Sequence, residues 1–128
     1  MKNKCILVIS DTHCPYHHPD LIPFLSSIRR KYKPDRVVHI GDETDKHGLN
    51  FHGQDPDLPS AGDELEKART TIHEIEKLWS NVDLLHSNHG SLAYRRAFKA
   101  GLPRAYMRGY NEVLEVGPGW KWHNELTI

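Results

Sequence analysis

The 128-residue sequence has few cysteines, no net charge and no long apolar run, and each of these absences excludes something. Its two cysteines, Cys5 and Cys14, form neither a CxxC pair nor a zinc-binding spacing, so we expect reduced thiols in a cytoplasmic protein. The sequence has as many Lys and Arg residues as Asp and Glu residues. The chain therefore has no strong electrostatic field that would indicate a nucleic-acid or membrane partner. No segment approaches a membrane span, and the apolar run near the N-terminus is too short for a signal peptide.

Histidine, in contrast, is abundant. The sequence contains ten histidines, and imidazole is the commonest metal ligand in proteins. The length is sufficient for one domain with a real core and too short to argue for two. We therefore expect a single domain in which some of these imidazoles bind metal and others are structural or solvated.

Apolar runs alternate with helical periodicity along the chain, which predicts an α/β fold. Strands are predicted over 6–9, 37–40, 82–85 and 120–128, the last from alternating side chains. The run of four apolar residues in 6–9 favours a central strand covered on both faces. Helices are predicted over about 20–33, 62–79, 92–100 and 103–110, and Ser60 with Asp63 fits a cap for the second. Residues 46–62 show no periodicity and are predicted to be a long loop beside a functional site.

Polar side chains that can bind metal follow each of the first three predicted strands. In order they are Asp11 and His13, then Asp42 and Asp45, then Asn88 and His89. Loops beyond the carboxyl ends of strands are where ligands bind in open α/β sheets. A pair of divalent ions needs a bridging carboxylate and further oxygen or imidazole ligands, and it lowers the pKa of bound water enough to supply hydroxide near neutral pH. Mixed oxygen and nitrogen ligands favour Mn²⁺, Fe²⁺ or Zn²⁺ over Mg²⁺.

The ordered set Asp11-x-His13, Gly41-Asp42-x-x-Asp45 and Asn88-His89 resembles the calcineurin-like metallophosphoesterases. Their usual pattern is DxH, GDxxD, and GNH followed by an acid, and then two later histidine motifs. The segment Ser-Asn-His-Gly at 87–90 and the segment Gly-Trp-Lys-Trp-His at 119–123 resemble phage-encoded members of this family most. The resemblance covers residues 11–89 and implies the layered sheet flanked by helices that this family shares.

The resemblance also implies a division of roles. Asp11 and His13 would bind one divalent ion, Asp42 would bridge, and Asn88 would bind a second. Mn²⁺ is the first candidate for both ions, and Fe, Zn and Ni are the alternatives. His89 would protonate the leaving group or stabilise the transferring phosphoryl group, with Asp45 orienting its imidazole. The implied reaction is hydrolysis of a phosphomonoester or phosphodiester by hydroxide held at the dinuclear site, in the host cytoplasm if the chain is phage-encoded. A nucleotide, a nucleic acid and a phosphoprotein are the candidate substrates.

The sequence departs from that family pattern at several positions. Ser87 replaces the glycine before Asn-His, and Gly90 replaces the acid that usually follows. His123 is the only histidine after His89, and its context matches neither later motif. We therefore expect the chain to be the N-terminal half of the fold, with the C-terminal half absent. The alternative is an incomplete or non-catalytic unit that self-associates or needs a complementing chain. A nucleic-acid-binding module is a third candidate, and the zero net charge argues against it.

The remaining histidines and the tryptophans have structural interpretations. His39 and His73 fall in a strand and a helix, so we expect hydrogen-bonded structural roles, and we expect His86 to face core or solvent. Loop histidines are expected to be solvated, namely His17, His18, His47 and His52. The three tryptophans, Trp79, Trp120 and Trp122, are expected to lie in the core or at an exposed former interface rather than to stack on bases.

Overall fold

Four short parallel strands form the centre of the computed structural model, which describes residues 4–128. Their spatial order follows the sequence: β1 (Ile6–Ile9), β2 (Arg36–His39), β3 (Val82–Leu85) and β4 (Trp120–His123). Parallel neighbours cannot be joined by tight turns, so each connection crosses over through helical segments. The result is the expected mixed α/β fold, a sheet flanked by helices.

The crossovers contain four α-helices. They are α1 (Leu21–Tyr32), α2 (Ala61–Leu78), α3 (Leu92–Lys99) and α4 (Tyr110–Leu114), with short 3₁₀ turns at His47–Leu49 and Arg104–Tyr106. The Oγ of Ser60 accepts a hydrogen bond of 3.2 Å from the backbone N–H of Asp63, which confirms the predicted cap of α2. None of the helices within residues 4–128 is long and apolar enough to cross a membrane.

The core lies where α2 packs against the sheet. Ile72 and Ile75 are each 1% exposed and share a buried cluster with Leu84 and Trp120. The indole N–H of Trp120 donates a hydrogen bond of 3.1 Å to the carbonyl oxygen of Trp79. Trp120 is therefore a core residue, as expected, and its one polar atom is satisfied.

The position of β1 differs from the prediction. Among the described residues, β1 is an edge strand that pairs only with β2, and Val8 is 48% exposed. The prediction of a central strand covered on both faces was wrong. A run of apolar residues shows that a strand has one buried face, but it does not show what covers the other face.

The C-terminal part of the predicted pattern is also shorter than expected. The strand predicted over 120–128 ends at His123, where the polar pair Asn124 and Glu125 follows. The helix predicted over 103–110 is a single 3₁₀ turn, and α4 begins only at Tyr110. Gly109 adopts an extended conformation between them, which prevents one continuous helix.

Candidate metal centre

The segments that follow β1 and β2 remain paired beyond the ends of the strands. The backbone N–H of Asp11 donates to the carbonyl oxygen of Gly41 at 3.1 Å, and that of His13 donates to Asp42 at 2.9 Å. The N–H of Cys14 donates to Glu43 at 3.0 Å. Because of this pairing, the side chains of Asp11 and His13 lie beside Asp42, as the sequence predicts for the carboxyl edge of a parallel sheet.

Three of the predicted ligands have an unusual backbone conformation. The φ angles of Asp11, His13 and Asp42 are 53°, 48° and 55°, all in the left-handed region. Non-glycine residues rarely adopt this region, although Asp and His are more tolerant than most, and each instance costs about 1–3 kcal/mol. Such strain persists only where surrounding contacts enforce it, and here the paired backbone supplies those contacts.

Asp11, His13 and Asp42 offer ligand atoms that all lie within 4.8 Å of one another. The Nε2 of His13 is 3.5 Å from Asp11 Oδ1 and 3.8 Å from Asp42 Oδ2. With ligand distances of about 2.0–2.2 Å, two atoms bound to one divalent ion are separated by about 3–4 Å, so this set fits such an ion. Ser10 donates a hydrogen bond to the Asp11 carboxyl and lowers its pKa, which keeps this ligand ionised.

Asp45 orients His13. The Nδ1 of His13 lies 2.9 Å from Asp45 Oδ1, which turns Nε2 of the same ring towards Asp11 and Asp42. Histidines that bind metal commonly donate their other ring N–H to a carboxylate, which fixes both tautomer and orientation. The arrangement of His13 is thus compatible with binding of a divalent ion through Nε2.

The contact between Asp45 and His89 differs in detail from the expected one. The Nδ1 of His89 is 2.7 Å from the backbone carbonyl oxygen of Asp45 but 3.7 Å from its carboxylate Oδ1. The Asp45 carboxylate is already committed to His13, so the backbone of Asp45, rather than its side chain, positions His89. The two imidazole rings meet edge to face, with centroids 4.8 Å apart.

Asn88 lies next to this cluster. Asp42 Oδ1 accepts a hydrogen bond of 3.1 Å from the backbone N–H of His89, which brings the 88–89 peptide against Asp42. The carbonyl oxygen of Asn88 accepts a hydrogen bond of 2.6 Å from Arg95. Within residues 4–128 the side-chain amide of Asn88 makes no hydrogen bond, so it is free to contact an ion or a substrate.

Ser87 has a role that the sequence did not reveal. Its hydroxyl accepts hydrogen bonds from the backbone N–H groups of Asp42, at 2.8 Å, and Gly90, at 3.2 Å. A methyl group added at Gly41 would lie 2.6 Å from the Ser87 Cβ, so the two segments are in close contact. The only sequence signal was that Ser87 stands in place of the glycine that precedes Asn-His in the family pattern.

A buried acid lies behind residue 90, although residue 90 itself is glycine. Glu43 is 1% exposed, and a methyl group added at Gly90 would lie 3.0 Å from its Oε1. Burial raises the pKa of Glu43, and neither carboxyl oxygen has a hydrogen-bond partner among the described residues. Lys46, also buried, donates from Nζ to the Gly90 carbonyl oxygen at 2.7 Å. The carboxyl group of residue 43 therefore lies directly beside position 90, a proximity that no sequence periodicity indicated.

The other histidines divide between structural and exposed positions. His39 is buried, accepts a hydrogen bond from the Gly41 N–H at Nδ1, and contacts Thr12 Oγ1 through Nε2 at 3.2 Å. His73 contacts the Leu114 carbonyl oxygen, so both histidines have the expected structural roles. His47 was expected to be solvated, but it is half-buried because its Nε2 accepts a hydrogen bond from the Asp55 N–H.

His123 does not reach the cluster of candidate ligands. Its Nε2 lies 2.9 Å from Asp83 Oδ1, so its imidazole is bound to the neighbouring strand β3. His86 follows β3 directly and packs against Tyr110, with ring centroids 5.2 Å apart. Neither contributes to the group formed by Asp11, His13 and Asp42.

A family model described as calcineurin-like phosphoesterase matches residues 5–124. The chain therefore belongs to the calcineurin-like phosphoesterases, as its motifs suggested, and membership implies metal-dependent hydrolysis of phosphate esters. Comparisons with curated proteins and with solved structures gave no significant match.

Replacing Ser87 with alanine should lower the free energy of unfolding by about 1–3 kcal/mol, because the N–H groups of Asp42 and Gly90 lose their acceptor. Urea denaturation measures the change. Ser27→Ala is the control, since that exposed hydroxyl bonds only to Phe24 in its own helix. Equal stability of the two variants would contradict a linking role for Ser87.

His39 should make stability depend on pH. Burial lowers the pKa of His39 from 6.5 to about 4, so the unfolded chain binds the extra proton first as the pH falls. The contribution of His39 to the free energy of unfolding is complete above pH 6.5 and is lost as the pH falls towards 4. Between pH 7 and pH 5 the free energy of unfolding should fall by about 2 kcal/mol from this cause.

In urea denaturation at these two pH values, His39→Asn should remove this part of the pH dependence while it keeps an acceptor for the Gly41 N–H. His18→Asn, at a largely exposed position, is the matched control and should retain the wild-type dependence. The same pH dependence in wild type and His39→Asn would refute the assignment.

Proposed function

We propose that this chain hydrolyses phosphate esters with a divalent ion, Mn²⁺ in the first instance, held by Asp11, His13 and Asp42. The convergence of these three side chains at the carboxyl edge of the sheet is the observation that carries the proposal. A second ion would share Asp42 and be bound by Asn88. Bound ions would neutralise charge on the phosphoryl group and lower the pKa of water.

Asp42 is suited to be shared between the two ions because its two carboxylate oxygens face different partners. Oδ2 points towards His13, and Oδ1 accepts the N–H of His89. One carboxylate thus connects the candidate ligands after β1 with the segment after β3. Asp11, Asp42 and Asp45 also place negative charge around His13, which favours a cation at this point.

His89 is suited to donate a proton to the leaving group. Because a carbonyl oxygen only accepts, the contact with Asp45 places a proton on Nδ1 of His89. The opposite nitrogen, Nε2, then faces away from this bond, and the side chain is 39% exposed. When the ring is protonated at both nitrogens, Nε2 can donate to the departing oxygen of a bound ester.

The second candidate is a metal-binding unit without catalytic activity of its own. The observation in its favour is that, within residues 4–128, one ion would take Asp11, His13 and Asp42, which leaves Asn88 and the shared Asp42 among the predicted ligands for a second ion. The incomplete second set would then be completed by another copy or another chain.

The purified protein should bind Mn²⁺ and hydrolyse bis(p-nitrophenyl) phosphate, and chelation by EDTA should remove the activity until Mn²⁺ is restored. Asp42→Asn should abolish both Mn²⁺ binding and hydrolysis, because the shared carboxylate loses its charge. Calorimetric titration with Mn²⁺ and release of p-nitrophenolate are the two measurements.

Asp57→Asn, a substitution on the exposed loop, should retain both properties. Hydrolysis that survives in Asp42→Asn would show that the activity has another source. Stoichiometric Mn²⁺ binding without hydrolysis of any ester would favour the second candidate.

His89→Gln should lower kcat for esters with poor leaving groups by about 10²–10⁴-fold, because proton donation is lost. The reduction should be smaller for p-nitrophenyl esters, since p-nitrophenolate leaves without protonation. Steady-state kinetics on phenyl and p-nitrophenyl esters of the same phosphate compares the two. Mn²⁺ affinity should remain unchanged, and His52→Gln in the exposed loop serves as the control. An equal reduction for both leaving groups would argue against a proton-donor role.

A further inference from the structure

A cavity of about 690 Å³ lies at the same edge of the sheet as the candidate metal centre. Its walls come from the segments after β3 and β4, from α3 and from residues 102–110. The side chains used in the argument are His86, Tyr94, Arg95, Arg104, Tyr110 and Asn124. Its volume is within the 300–1,000 Å³ of typical small-molecule sites.

The cavity and the metal centre share one segment of chain. His86 and Ser91, which line the cavity, flank residues 87–90, which carry Asn88 and His89. Arg95, on the cavity wall, donates from Nη2 to the Asn88 carbonyl oxygen at 2.6 Å. The cavity therefore adjoins the segment that carries Asn88 and His89.

The charges on the cavity wall favour an anion. Two arginines, Arg95 and Arg104, line it, and no Asp or Glu within residues 4–128 does so. The guanidinium of Arg104 lies 5.8 Å from the centre of the Tyr94 ring and makes no salt bridge with the described acidic residues. Arg104 is thus an exposed cation without a protein counterion.

The aromatic side chains favour a planar group beside that anion. Tyr94 and Tyr110 meet edge to face with centroids 4.9 Å apart, and Tyr110 stacks on Trp122 at 5.2 Å. Tyr94 is further held by a hydrogen bond of 2.6 Å from its hydroxyl to the Arg108 carbonyl oxygen. A fixed aromatic wall of this kind is a stacking surface for nucleobases.

We propose that this cavity binds the nucleoside part of a nucleotide phosphodiester whose scissile phosphate lies at the candidate metal centre. Tyr94 stacks on the base, and Arg104 contacts a neighbouring phosphate. The inference rests on the proposed function and names its substrate class. The zero net charge of the chain favours a short nucleotide over a long nucleic-acid strand.

The test compares three substrates that release the same p-nitrophenolate in the presence of Mn²⁺. They are methyl p-nitrophenyl phosphate, thymidine 5′-(p-nitrophenyl phosphate), and the latter with an added 3′-phosphate. The thymidine ester should have a kcat/KM at least about fivefold above that of the methyl ester, because of base stacking. The 3′-phosphate should add a further factor of about two to five through Arg104.

Substitutions separate the two contacts. Tyr94→Leu should remove the preference for thymidine, and Tyr94→Phe should retain it because the ring remains. Arg104→Ala should remove only the effect of the 3′-phosphate. Arg108→Ala, four residues away and outside the cavity wall, should leave both preferences intact. Hydrolysis of the methyl ester by Arg108→Ala should match that of the wild type.

Failure of this proposal differs from failure of the proposed function. If the methyl ester is hydrolysed but thymidine brings no gain, the cavity does not bind the nucleoside and the phosphoesterase assignment stands. If no ester is hydrolysed, calorimetric titration with thymidine 3′,5′-bisphosphate decides. Saturable binding that Tyr94→Leu and Arg104→Ala weaken supports the cavity, and absence of binding overturns it.

Discussion

The candidate metal centre depends on backbone pairing that continues beyond the ends of β1 and β2. The N–H groups of residues 11, 13 and 14 donate to carbonyl oxygens 41–43, and the Ser87 hydroxyl connects the segment after β3 to Asp42. Without these bonds, Asp11, His13 and Asp42 would leave the left-handed region, because no local preference of theirs is strong enough to hold it. The position of the ligands thus follows from the parallel sheet, not from the loops themselves.

Asp45 contacts both central histidines, His13 and His89, through different groups. Its carboxylate faces Nδ1 of His13, and its carbonyl oxygen faces Nδ1 of His89. In each ring the contact is made by Nδ1, and Nε2 of His13 faces Asp11 and Asp42. One residue therefore contacts both imidazoles, which also meet each other edge to face. The aromatic cavity, with Arg95 and Arg104 on its wall, lies at the same edge of the sheet.

Buried charge behind the site is a cost to stability. Glu43 and Lys46 are both buried, and burial opposes ionisation of each, raising the pKa of Glu43 and lowering that of Lys46. Lys46 also has a left-handed φ of 53°. Buried charges and strained residues are tolerated where surrounding structure enforces them, and here both lie directly behind the segment that carries Asn88 and His89.

The sequence by itself determined the strands and helices up to α3, the cap of α2, the order of the motifs and the family. These depend on periodicity and short spacings, which are local properties of the chain. Only the tertiary structure decided that β1 is an edge strand, that Asp45 bonds His13 through its carboxylate, and that Glu43 fills the space beside Gly90. His13 and Asp45 are 32 positions apart, and Asp42 and His89 are 47 apart. Which atoms meet across such separations is set by differences of about 1 Å in packing, to which residue type and spacing are not sensitive.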